Sequence, residues 1–357
     1  MQAYNVPSPE TRLDTPVLFL VFNRPEPTRQ VFEAIRQAQP PRLYVACDGP
    51  RPGRPAEAEL CAEVRRLITE GLDWPCELHT FFRDENLGCA LNVSAAITWF
   101  FEHEPEGIIL EDDCLPGPDF FPFCQELLAR YRHDTRVMHI GGNNYSREAG
   151  LPQPVDGTSY FFSGHVQSWG WASWRRAWQH YDFRFSLLPA LRQQQQLAHL
   201  YPSWLERTYW LGKFEQMRLS RGRHSLLDTW DYQWHFTIAA NSGLTIVPLV
   251  NLVQNIGFGP DATHTLSTED PYHAREAQPL RFPLRHPATV LRDWPRDEQN
   301  FHEFLVSRLA YKWRNLTARL PRWLREQSTV PQDPPYPVEA ETEPAANARP
   351  SVTFSQT

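Results

Sequence analysis

At 357 residues and 41% hydrophobic, the chain is long enough to bury a large core as one big α/β domain or two smaller ones, which excludes a disordered protein. Acidic residues number 42 against 35 basic, a formal net charge of -7, which excludes a nucleic-acid partner held by the overall field. The opening MQAYNVPSPETRLDTP has no basic segment followed by an apolar run, and no stretch approaches the roughly 20 apolar residues of a membrane span, so a cytoplasmic protein is expected.

In chain order, Val17 to Asn23 (VLFLVFN) is a continuous apolar run between Pro16 and Pro25, the pattern of a strand buried on both faces of a parallel sheet. A helix is predicted from Pro27 to Ala38, then strand Leu43 to Cys47, helix Ala56 to Glu70, strand Glu77 to Phe82, helix Cys89 to His103 and strand Gly107 to Glu111. Right-handed crossovers stack such a series into a mostly parallel, Rossmann-like sheet with helices on both faces, and ligands gather at its carboxyl edge. A helix near Asp119 to Tyr131 and a strand Val137 to Ile140 follow. From Gly141 to Asp182, Gly, Asn, Ser and Trp dominate, predicting a less regular stretch built of loops. Gln193 to Gln196 is expected in a surface helix and Leu244 to Pro248 in a strand.

Apolar residues recur at helical spacing from Phe301 to Leu324 beside Arg308, Lys312, Arg314, Arg319, Arg322 and Arg325. Such a basic amphipathic helix either docks on the domain or lies on an anionic membrane surface through residues 301–325. The expected division is a flexible N-terminus (1–14), a regular strand-helix half (15–142), a less regular half (143–290), the C-terminal helix (291–327) and a disordered tail (328–357). The six cysteines form no C-x-x-C pair and are read as reduced core residues.

The chemistry concentrates in GIILEDDCLPGPDFF, where a buried strand ends in Glu111, Asp112 and Asp113. Three adjacent carboxylates repel one another and favour a cation, and oxygen ligands select Mg²⁺ or Mn²⁺. The same residues also read as an ordinary polar strand end. Asp48, in ACDGP after the second strand, reaches the same sheet edge, and Asn23 and Arg24 after the first strand complete the rim.

The order of Asn23-Arg24, Asp48, DENLGCALN and ILEDDCLPGPDFF resembles the GT-A glycosyltransferases, in particular N-acetylglucosaminyltransferase I and bacterial relatives, over about residues 15 to 265. The resemblance implies an inverting, metal-dependent transfer from a nucleotide-diphosphate sugar, with UDP as the nucleotide, to a glycan or lipid-linked hydroxyl. It implies that Glu111 and Asp112 contact the donor, that Asp113 holds Mn²⁺ or Mg²⁺, and that Arg24, Asp48 and Asn86 contact the nucleotide, Asn86 standing where the family has histidine. FFSGHVQSWGWASWRRAW is similar to the family's glycine-tryptophan loop, putting Trp171 beside the donor. LLDTWDYQW gives Asp231 the role of catalytic base, with Asp228 as competitor, and NIGFGPDATHT brings His264 towards the diphosphate. A sugar-phosphate nucleotidyltransferase and a non-catalytic carbohydrate-binding relative are the alternatives. NRPEP after the first strand speaks against the former, since those enzymes usually carry a Gly-rich phosphate loop there.

Overall fold

The computed structural model describes residues 12–144, 157–219, 228–257 and 275–318, the last stretch with side chains to residue 310. Strand and helix alternate as β1 (Val17–Val21), α1 (Pro25–Ala38), β2 (Arg42–Cys47), α2 (Pro55–Gly71), β3 (Glu77–Phe82), α3 (Cys89–His103) and β4 (Glu106–Glu111). Pro25 and Pro55 open their helices, where a missing N–H is not needed. There follow β5 (Cys114–Pro116), α4 (Phe120–Tyr131), β6 (Val137–Gly141), β7 (Tyr160–Ser163), β8 (Trp171–Trp174), α5 (Arg175–Trp178), α6 (Leu188–Gln193), α7 (Leu197–Leu200) and α8 (Trp204–Leu219). The described elements end with α9 (Asp231–Ala240), β9 (Leu244–Pro248), β10 (Val253–Asn255) and α10 (Trp294–Ala318).

Eight strands form one sheet in the order β3-β2-β1-β4-β8-β6-β9-β7. The ladders β3-β2, β2-β1, β1-β4 and β6-β9 are parallel, while β8 and β7 run against their neighbours. This is the α/β, mostly parallel architecture expected from the sequence, and β10 pairs antiparallel with β5 in a separate two-stranded sheet. The chain divides into the compact units Met1–Ser307 and Arg308–Thr357.

The period-two geometry of β1 explains its unbroken hydrophobicity. Val17, Phe19 and Val21 pack with α1, α2 and α4, whereas Leu18 and Leu20 pack with α3 and α9. A third cluster joins Phe185, Leu188, Tyr201, Phe214 and Phe236 of the less regular half.

Two expectations need correction. The segment 141–182 holds β7 and β8, and β8 sits in the middle of the sheet between β4 and β6. At four residues each, these strands are too short for periodicity to declare them, yet Trp171 faces one core layer and Ala172 and Trp174 the other. Gln194–Gln196 form the turn between α6 and α7, with Gln195 in the left-handed region at φ 58°, because the run offers no apolar face to anchor a helix. The C-terminal helix, expected over 291–327, begins at Trp294 and docks through buried Phe301 against Tyr209, ring centroids 5.7 Å apart. The proposed tail, 328–357, and most of the N-terminal segment lie outside the described residues.

The cysteines are free thiols. Cys47, Cys61, Cys114 and Cys124 are buried, and Cys76 and Cys89 half-buried.

His139 on β6 carries a pH-dependent element of stability. Its Nδ1 accepts the Trp234 indole N–H at 3.2 Å, its Nε2 lies 2.9 Å from the Gln167 carbonyl, and burial pushes its pKa down to about 4. Between the unfolded value of about 6.5 and the folded value, the unfolded chain binds a proton that folded His139 refuses, so stability falls as pH drops through that window. The wild type should therefore lose more stability than His139→Gln between pH 7 and pH 4, by about 3 kcal/mol at the lower limit, measured by denaturant unfolding.

Candidate active site

The parallel neighbours β2, β1 and β4 end at one edge of the sheet. Asn23 and Arg24 leave β1 half-buried, Asp48 leaves β2, and Glu111 closes β4 ahead of Asp112 and Asp113. Arg24 Nη2 lies 3.0 Å from Asp113 Oδ2 and also pairs with Asp112 Oδ1, while its Nε approaches Asp112 Oδ2 at 3.4 Å. Burial opposes the Arg24 charge, but Asp112 and Asp113 outweigh it and hold its pKa above the ordinary value.

Glu111 is not compensated in this way. Burial, then the charges of Asp113, Asp112 and Asp231, push its carboxyl up to about 8, with Arg24 acting in the opposite direction. Burial also raises Asp112, against the pull of Arg24. Asp231 opens α9 three residues after Asp228, whose carboxylate bonds the first N–H groups of α3, and 119 residues separate it from Asp112 in the chain. Asp231 Oδ1 accepts the Thr229 hydroxyl and, at 3.0 Å, the Tyr232 N–H.

Asp228, the competing candidate for the base, accepts the Cys89 N–H at Oδ2 (2.8 Å) and the Ala90 N–H at Oδ1 (2.9 Å). It caps α3 from a distant part of the chain. Cys89 was not singled out from the sequence, yet its thiol lies among Glu111, Asp228, Asp231 and Asp113, whose charges add to burial in raising its pKa. The signal was its place in DENLGCALN, at the opening of a helix that points into the site.

Asp48 and Asn86 meet each other. Asp48 accepts Asn86 Nδ2 at 3.0 Å and the N–H groups of Gly49, Leu87 and Gly88 at 2.9, 3.0 and 3.0 Å, and Asn86 Nδ2 also donates to the Gly49 carbonyl at 2.9 Å. Burial raises the Asp48 pKa while the backbone donors lower it. Asp48 thus braces the loop 86–88. A surface cavity of about 610 Å³, lined by Pro50, Arg51, Arg54, Asp84, Glu85 and Asn86, opens beside this loop rather than over the carboxylates.

Trp171 requires correction as a donor contact. It is 0% exposed and stacks on Trp230 (5.4 Å between centroids) and His139 (5.0 Å), so its ring has no surface to offer a sugar. Gly170, at φ 63°, turns the chain into β8 and buries the tryptophan that follows. His264 lies outside the described residues.

Among the described residues no three His, Cys, Asp or Glu side chains form a metal cage. Asp113 fits a different kind of site. Its carbonyl accepts the Ile256 N–H at 2.8 Å, and a Cβ on Gly257 would lie 2.2 Å from its Oδ2, so its carboxylate is held against bare backbone. One or two carboxylates completed by phosphate oxygens and water are the usual setting for Mg²⁺. The single Asp113 carboxylate fits such a setting only with the remaining ligand oxygens supplied from outside the protein.

No family model matches the chain, and no curated protein matches it. Among solved structures it is similar to the galactosyltransferase LgtC in complex with donor and acceptor sugar analogues, at 13% identity and a TM-score of 0.31 over 69% of this chain and 87% of that one. It is also similar to HddC from Yersinia pseudotuberculosis (13%, TM-score 0.30, 48% of this chain and 83% of that one). A third likeness is to a UDP-glucose pyrophosphorylase complexed with UDP-glucose (8%, TM-score 0.22, 38% of this chain and 65% of that one). Likenesses of this size carry no inference about chemistry, and the fold stands on strand order and register.

Proposed function

We propose that this chain is a glycosyltransferase of the GT-A kind that moves a sugar from a nucleotide diphosphate, UDP by the sequence resemblance, to a hydroxyl of a glycan or lipid-linked acceptor, with inversion. The observations that support the reading are the Glu111-Asp112-Asp113 strand end, paired with Arg24 at the carboxyl edge of a parallel sheet, and Asp228, three residues before Asp231, bonded to the first N–H groups of the neighbouring α3. Asp231 takes the proton of the acceptor hydroxyl as its oxygen attacks the anomeric carbon. Arg24, which bonds Asp113 at 3.0 Å, would pair with the departing diphosphate, and Glu111 and Asp112 would contact the donor. Asp113 would hold Mn²⁺ or Mg²⁺, which when bound supplies positive charge to the leaving diphosphate.

The test is release of nucleoside diphosphate from a panel of UDP-, GDP- and dTDP-sugars, with and without glycan acceptors. Nucleoside diphosphate release with an inverted product supports the reading. Pyrophosphate release from a sugar phosphate and a nucleoside triphosphate would replace it with nucleotidyl transfer.

Among the described residues no helix is long and apolar enough to cross a membrane. Val306 and Leu309 on α10 are 66% and 58% exposed, beside Arg308, which supports peripheral contact with an anionic surface. Sedimentation with anionic vesicles should fall when residues 301–357 are removed, and no sedimentation of the whole chain would discard the contact.

A further inference from the structure

We infer that Asp228 and Thr229 are positioning residues for Asp231, and that Asp228 fixes the catalytic base in register with the donor-side loop 86–90. The inference rests on the glycosyltransferase reading and adds residues to it.

The first N–H groups of a helix have no partners within it and need acceptors from elsewhere. At α3 the N-cap is Gly88, which has no side chain to serve. The need is met by two carboxylates from opposite halves of the chain. Asp48 takes the Leu87 and Gly88 N–H groups, each at 3.0 Å, and Asp228 takes those of Cys89 and Ala90 at 2.8 and 2.9 Å. Gly88 is required for this approach. Its φ is 82°, and a Cβ there would lie 2.4 Å from Asp228 Oδ2.

Four successive residues then have four destinations. Asp228 reaches α3, Thr229 donates its hydroxyl to Asp231 Oδ1, Trp230 is buried against Trp171, and Asp231 opens α9. With Asp228 anchored on the donor side and Trp230 in the core, the backbone of Asp231 is fixed at both neighbouring contacts. The Thr229 hydroxyl and the Tyr232 N–H at 3.0 Å then hold one carboxylate oxygen, which selects the rotamer. A base must lie within hydrogen-bond reach of the proton it takes, so small rotations of Asp231 act on turnover rather than on donor affinity.

The experiment measures kcat, donor KM and melting temperature for Thr229→Val, Thr229→Ser and Asp228→Asn. Thr229→Val should lower kcat about tenfold, the value of one hydrogen bond of about 1.4 kcal/mol, with donor KM within about twofold. Thr229→Ser, which keeps the hydroxyl, should restore it. Asp228→Asn, in which the amide nitrogen cannot accept the second N–H, should lower kcat by a similar factor in a folded protein. Wild-type kcat in Thr229→Val, or an Asp228→Asn protein that melts earlier yet turns over normally, overturns the assignment and leaves Asp228 as a helix cap alone. Absence of donor turnover in the wild type overturns instead the reading on which it rests.

Discussion

Asp231→Asn is expected to bind donor as the wild type does and to turn it over about 10²- to 10⁴-fold more slowly. Asparagine keeps the shape of the side chain, and its carbonyl oxygen can still accept the Thr229 hydroxyl and the Tyr232 N–H that fix Oδ1. What it loses is the capacity to take a proton. The substitution also removes a negative charge that bears on Glu111, so the acidic strand end should tolerate it without loss of fold. The measurement pairs kcat with a calorimetric donor affinity. Normal transfer by Asp231→Asn would remove Asp231 from the chemistry.

Asp113→Ala should abolish the dependence of turnover on Mn²⁺ and lower kcat/KM about 10²-fold or more, as expected when a few kcal/mol of leaving-group stabilisation are lost. Asp113 is held by its own backbone against Ile256 and by its side chain against Gly257, so its position does not depend on a cation. Arg24 retains Asp112 as partner in the variant, which keeps the guanidinium compensated and the loop after β1 in place. A variant with undiminished metal-dependent turnover would require a cation ligand other than Asp113.

The first half of the sheet was legible in the sequence because β1, β2 and β4 are buried on both faces and the helices between them are long. β1, β2 and β4 read as apolar runs, and α3 runs from Cys89 to His103 as its pattern predicts. The acidic strand end was legible because three adjacent carboxylates at the close of such a run have few structural explanations. β7 and β8 were not, since four residues carry too little period, and the role given to Trp171 came from the resemblance of its segment to a glycine-tryptophan loop. Trp171 shows the error: the antiparallel insertion of β8 between β4 and β6 buries it. The pairings of Asp48 with Asn86 and of Asp228 with the start of α3 were equally hidden. Nothing local marks a carboxylate that serves N–H groups 39 or 139 residues away.

Calorimetric titration of UDP and GDP into the wild type, with and without Mn²⁺, tests the central claim most directly. The account predicts that one nucleotide binds and that its binding strengthens with the metal. Absence of binding by either nucleotide, metal present or not, would contradict it and leave the acidic edge of the sheet without a donor.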